Sequence, residues 1–162
     1  MICPTCKREI TITPVSQLDV RWKNVPIGKT KYKLKDFGCT ISSLCMALHK
    51  LRGYTARPDD AAKFWKFDSE GRIVWTQTKF KGMKFVWRGY GADMAKVTEY
   101  ANDPSKAVIL NVDAFGKQGA HWVYLNEVKD GKLNVIDPLG GGEHEDMPDK
   151  YKFCGYALFE KM

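Results

Sequence analysis

Three side chains in this sequence are of the types that together perform thiol chemistry: Cys39 directly after Gly38, His121, and Asp137. A cysteine acts as a nucleophile when it is held as a thiolate, is reachable, and has a proton acceptor within hydrogen-bond reach. Gly38-Cys39 stands where a helix is expected to begin. The unpaired amides and the positive dipole end there favour a thiolate, and a glycine beside the sulfur lets a substrate backbone come close. The opposing reading of Cys39 is a small buried core residue, a common fate of free cysteine.

His121 and Asp137 lie on the two arms of an expected hairpin, residues 121–128 and 133–137, around Asp130-Gly131. The turn decides whether they meet. A two-residue loop pairs Lys129 with Lys132, sets Asp137 opposite Tyr124 and sends His121 and Asp137 to opposite faces. A three-residue loop with Gly131 as a left-handed bulge pairs Val128 with Lys132 and sets Asp137 opposite Val123, roughly 7–8 Å diagonally from His121. That second register gathers His121, Val123, Leu125, Leu133, Val135 and Asp137 on one face. Catalysis by this pair therefore predicts a bulge in the turn. With a plain turn, Asn111 or Asp113 would have to orient the histidine, or His121 would make a structural bond at a strand end.

The elements that must position these groups follow from periodicity. Ile41, Leu44, Cys45, Leu48 and Leu51 recur at helical spacing, which predicts a helix over 39–52 ended by Gly53. A second helix starts near Pro58, with Asp59 and Asp60 at its positive end, and a third spans 92–101. Residues 29–35 alternate lysines with Thr30, Tyr32 and Leu34, the period of a half-exposed strand. Residues 66–90 read as short strands and loops, 107–112 as a buried strand, and 156–159 as a last strand. Helices first and an antiparallel sheet second is the α+β pattern. Residues 1–9 read as a short appendage with a Cys-x-x-Cys pair, and 10–162 as one domain.

Four segments in order resemble a known family. They are Ser16-Gln17-Leu18-Asp19 with Trp22; Gly38-Cys39-Thr40-Ile41-Ser42-Ser43-Leu44-Cys45; Ala120-His121-Trp122-Val123; and Ile136-Asp137-Pro138. They are similar to the peptidases that process double-glycine bacteriocin leaders, a branch of the papain-like fold. The resemblance implies helices, with the nucleophile at the start of the first long one, packed on an antiparallel sheet carrying His and Asp. It implies Cys39 as nucleophile, His121 as base, Asp137 as orienter and Gln17 as oxyanion donor. Gly38 and Trp122, beside the nucleophile and the base, are the expected substrate-binding residues. The family usually has a glycine before the strand leading to the histidine; here that stretch is Asp103-Pro104-Ser105-Lys106. The exporters' transporter part has no counterpart in the sequence. Free-standing relatives occur in bacteria and phages, some in cell-wall-degrading proteins. The expected activity is therefore hydrolysis of peptide or isopeptide bonds, in a wall peptide or in a protein. The alternative is a catalytically silent module that keeps the fold for binding.

Composition narrows the setting. The chain of 162 residues is 44% hydrophobic and 28% charged, a globular balance. No apolar run approaches the roughly 18 residues of a membrane span. The N-terminus has no apolar signal core, so the expected location is the cytoplasm, or a virion or lysate without Sec export. A place in a larger virion or secretion assembly is compatible with this. The net charge of +7 suits an anionic partner, and Lys29, Lys31, Lys33 and Lys35 form a candidate docking run for an anionic polymer. Five cysteines without a secretion signal read as mostly free thiols. No cofactor is expected. Cys3 and Cys6 have the spacing of half a zinc site, which Cys45, Cys154, His49, His144 or another subunit would have to complete; that would make the protein a zinc-dependent adaptor. Gly140-Gly141-Gly142-Glu143-His144-Glu145-Asp146 reads as an acidic loop at the rim of a cleft.

Overall fold

The computed structural model describes residues 11–140 and 145–162. The appendage with Cys3 and Cys6, and the centre of the acidic glycine loop with His144, lie outside the described residues.

Four α-helices are described: α1 (Leu34–Phe37), α2 (Cys39–Arg52), α3 (Pro58–Phe64) and α4 (Met94–Asn102). The strands are β1 (Lys79–Phe80), β2 (Met83–Tyr90), β3 (Lys106–Ala114), β4 (Lys117–Lys129), β5 (Lys132–Ile136), β6 (Glu145–Asp146) and β7 (Lys152–Lys161). They form one sheet in the order β1-β2-β7-β3-β4-β5-β6, with every neighbouring pair antiparallel. The fold is α+β.

The expected stripe of α2 is buried, but so are Ser42, Ser43, Met46 and Ala47. A helix covered on nearly all sides belongs inside the protein. It packs on the sheet face that presents Ile109, Tyr124, Ile136, Ala157 and Phe159. Gly53, at φ +75°, ends it by donating its N–H to the His49 carbonyl. The other face, with Leu110, Val123, Leu125 and Val135, packs against Val97 and Ala101 of α4. Covered on both faces, β3 is buried almost without interruption.

Residues 29–35 do not form the expected strand. Only Lys33 makes a bridge, to Pro26, and Leu34 already starts α1. The cause is local: Ile27 N–H donates to the Tyr32 carbonyl at 2.8 Å, folding the segment back on itself. The Asp36 carboxylate then accepts the Lys33 N–H at 3.1 Å, opening the helix. Leu34 is buried and all four lysines are exposed, so a folded-back loop satisfies the same alternation as a strand. α4 begins at Met94 rather than at residue 92, because Asp93 caps it by accepting the Lys96 N–H at 3.0 Å. β7 is longer than expected and inserts between β2 and β3.

The hairpin turn corrects the expected loop. Lys129 pairs with Lys132, so the loop has two residues. Asp130 and Gly131 both sit at positive φ, +51° and +73°, the type I′ turn for which Asp-Gly is a strong signal. The extra residue is further along the hairpin. Pairing slips between Leu125 and Glu127, leaving Asn126 as a bulge whose side-chain amide donates to Asn134 Oδ1 at 3.2 Å. Beyond it Leu125 faces Val135 and Tyr124 faces Ile136, so Asp137 comes next opposite Val123. The register that brings His121 and Asp137 to one face is present, set by Asn126 and not by the turn.

Candidate active site

Asp137 follows β5 directly and is 7% exposed; His121, inside β4 rather than opening it, is 2% exposed. His121 Nε2 lies 2.7 Å from Asp137 Oδ1. The carboxylate also accepts the Leu139 N–H at 2.9 Å and the Tyr151 hydroxyl at 2.7 Å, on Oδ1 and Oδ2 respectively. Burial works against its charge, but the donors from His121 and Tyr151 prevail and hold its pKa below the usual value. For the imidazole, burial likewise disfavours the cation. The hydrogen bonds to Asp137 and Cys39, with their charges, outweigh it and raise the pKa from 6.5 to about 9. The ring is therefore an imidazolium at neutral pH. With Nε2 given to Asp137, Nδ1 is the nitrogen left for the Cys39 side. The fold thus sets a cationic imidazole beside Cys39, the residue that opens α2.

Helix packing brings the thiol there. Ser43 Oγ donates to the Trp122 carbonyl at 3.3 Å, fastening the first turns of α2 to the strand that carries His121. Cys39 is half-buried and lines an open cleft of about 580 Å³ with Phe37, Trp75, Arg88, Ala120 and Trp122. Trp122 forms a wall, its ring 5.1 Å from that of Trp75. Gly38 has a different reason for being glycine than the expected approach of substrate. A Cβ there would lie 2.2 Å from the Leu34 carbonyl oxygen, which accepts the Gly38 N–H at 2.7 Å. The glycine lets α1 and α2 meet at a sharp junction.

Gln17 is 2% exposed and is not among the residues lining the cleft. Its backbone N–H donates to the Pro138 carbonyl and its Nε2 to the Lys35 carbonyl, both at 3.0 Å, while Oε1 is buried without a partner. It ties the stretch before Cys39 to the stretch after Asp137, with one Nε2 hydrogen uncommitted. Asn111 and Asp113 do not bond the imidazole. Asn111 Nδ2 donates to the carbonyls of Gly119 and His121, at 3.0 and 3.1 Å, and Asp113 accepts the Gly119 N–H at 2.8 Å. They fix the backbone on which His121 rides.

Sequence reasoning missed Tyr151, Trp75 and Arg88. Their roles depend on pairing of distant strands, and nothing in their local spacing marks them. His49 is half-buried, accepting the Thr13 N–H at 3.2 Å, with the Thr55 hydroxyl 2.9 Å away. Cys45 is wholly buried and its thiol pKa is pushed up by that burial. Cys154 donates to the Asn111 carbonyl at 3.3 Å. Among the described residues no cluster of three or more His, Cys, Asp or Glu could hold a metal, and no helix is long and apolar enough to cross a membrane. No family model, curated protein or solved structure matches this chain.

Proposed function

We propose that the protein is a papain-like cysteine peptidase or amidase that hydrolyses peptide or isopeptide bonds through an acyl-enzyme on Cys39. One observation carries the reading. A buried imidazole is bonded through Nε2 to a fully satisfied carboxylate, and its other side is turned to a cysteine at a helix start in an open cleft. The Cys39 thiolate attacks the carbonyl carbon and a C–S bond forms. The C–N bond breaks as His121 gives its Nδ1 proton to the leaving amine. Neutral His121 then takes a proton from water, whose oxygen attacks the thioester. The C–S bond breaks, and thiolate and imidazolium return. The uncommitted Nε2 hydrogen of Gln17 and the amides at the start of α2 are the candidates for oxyanion stabilisation.

The net charge of +7 favours a polyanionic setting such as a cell wall, reached from the cytoplasm by lysis or carried on a virion. Lys29, Lys31, Lys33 and Lys35, all exposed, would face that polymer. The silent binding module has one observation in its favour, the commitment of Gln17 to the Lys35 carbonyl.

The test is a hydrolysis screen on wall fragments and unfolded protein, with Cys39→Ala alongside. The variant is expected to keep the wild-type circular dichroism and lose turnover by on the order of 10⁴-fold or more. A folded, active Cys39→Ala protein would sink the proposal. Alkylation of Cys39 by iodoacetamide near pH 6 separates an active thiolate from a silent module, because an ordinary thiol hardly reacts there.

A further inference from the structure

We propose that Arg88 is a carboxylate-binding subsite of the cleft, so that the substrate carries a carboxylate beside the bond to be cut. Cleavage of that ligand rests on the thiol-hydrolase reading; the binding of a carboxylate does not.

Arg88 comes from β2 and lines the same cleft as Cys39. Its guanidinium lies 4.5 Å from the centre of the Trp122 ring and 4.8 Å from that of Tyr90. Nη1 donates to the carbonyls of Gly89 and Tyr156, at 2.8 and 3.1 Å, and Nη2 to Asn111 Oδ1 at 3.1 Å. The backbone of Gly155 passes close by, and a Cβ there would come within 2.8 Å of Nη1. The cation is thus held in one place by a surface built for it.

Each of those hydrogen-bond partners is neutral. Among the described residues no carboxylate forms an ion pair with Arg88. The other charges of the cleft compensate each other: Arg72 pairs with Glu70 and with Asp68, at 2.9 Å each. Burial works against the Arg88 cation, and the Tyr90 and Cys154 side chains favour it too weakly to repay that cost. A guanidinium has five N–H donors. Three bonds are accounted for, so two donors remain, the number that a bidentate carboxylate takes. A purely structural role, holding Asn111 and through it the His121 backbone, would need the same three bonds but would not discriminate between ligands.

The experiment uses Cys39→Ala protein, so that nothing is cleaved, and calorimetric titration with matched peptides. One pair is acetyl-Ala-Glu-Ala-amide against its Gln counterpart. The other is acetyl-Ala-Ala with a free carboxylate end against its amide. The acid of at least one pair is expected to bind about ten- to a hundred-fold more tightly than its neutral twin, and the pair that shows it tells a side-chain carboxylate from a chain end. Arg88→Gln in the same background should bring the acid down to its twin. Equal affinities, no binding of either acid, or a preference that survives Arg88→Gln would each overturn the proposal. If Arg88→Gln does not fold, the Arg88 Nε–H resonance, assigned by its loss in Arg88→Lys, must shift with the acid and not with the amide. Iodoacetamide labelling of wild-type Cys39 near pH 6 runs alongside. An unreactive Cys39 with an intact acid preference removes the hydrolase and leaves the subsite; a reactive Cys39 without the preference does the reverse.

Discussion

His121 and Lys50 are both basic and both buried, 2% and 4% exposed, yet the protein treats them in opposite ways. Burial penalises the charged form of each. Against His121 the fold sets a carboxylate and a thiol, and its pKa rises to about 9. Against Lys50 it sets one neutral oxygen, the Ala101 carbonyl near the C-terminus of α4, at 2.9 Å; Asp103 favours the charge too weakly, and the pKa falls to about 8. The difference teaches that burial alone assigns no protonation state: the counter-charges do. One residue is a cation the fold stabilises, the other a cation it tolerates.

The largest way to break that contrast is to take the counter-charge from His121 directly. Asp137→Asn keeps the shape of the side chain and removes the carboxylate that His121 Nε2 meets at 2.7 Å. His121 then resembles Lys50, buried without a carboxylate. Its pKa should fall well below about 9 and turnover should drop by roughly 10⁴-fold, as when a triad carboxylate is lost. A histidine NMR titration and a hydrolysis assay read both; an unmoved titration would show that Asp137 does not hold the charge on His121.

The pH dependence of stability separates the two residues next. The folded-state pKa of His121 lies above its unfolded value, so its stabilising share is whole below about pH 6.5 and lost by about pH 9. The folded-state pKa of Lys50 lies below its unfolded value, so its cost is whole below about pH 8 and relieved by about pH 10.5. Each amounts to about 3 kcal/mol at most. Urea unfolding of the wild type should show stability falling from about pH 6.5 to about 8, level to about pH 9, and recovering above it. Lys50→Met should keep the fall and lose the recovery. A Lys50→Met protein of constant stability from pH 6.5 to 9 would contradict the assignment to His121.

The smallest effect is expected at the turn. Gly131→Val puts a β-branched residue at φ +73° and should cost about 1–2 kcal/mol in urea unfolding, with turnover within twofold of wild type. A loss of activity much larger than the loss of stability would return control of the register to the turn.

What could be read in the sequence divides along a physical line. The α2 helix was legible because Ile41, Leu44, Leu48 and Leu51 repeat locally. The meeting of His121 and Asp137 required an extra residue in the hairpin, and simple pairing arithmetic demanded it. Its position was not legible, since Asp130-Gly131 fits a two-residue turn so well and Asn126 carries no mark of a bulge. The lysine alternation misled over residues 29–35, because a loop folded back by the Ile27–Tyr32 bond exposes the same side chains as a strand. Arg88 and Tyr151 were illegible for a third reason. Arg88 acquires its partners only through the pairing of β2 with β7 and of β7 with β3, and Tyr151 touches Asp137 across a stretch that includes β6.

The central position of β7 bears on the order in which this molecule can be assembled. Among the described residues it is the last of the seven strands along the chain, yet it is what links β2 to β3 in the sheet. Until it is in place the sheet is two separate ribbons with open inner edges. Arg88 then lacks the Tyr156 carbonyl, and Asp137 is without the hydroxyl of Tyr151, which immediately precedes β7. Cys39, His121 and Asp137 are all made earlier along the chain. During synthesis the cleft therefore stays incomplete while Cys39 and His121 already exist, and the closing strand both joins the sheet and completes the candidate site.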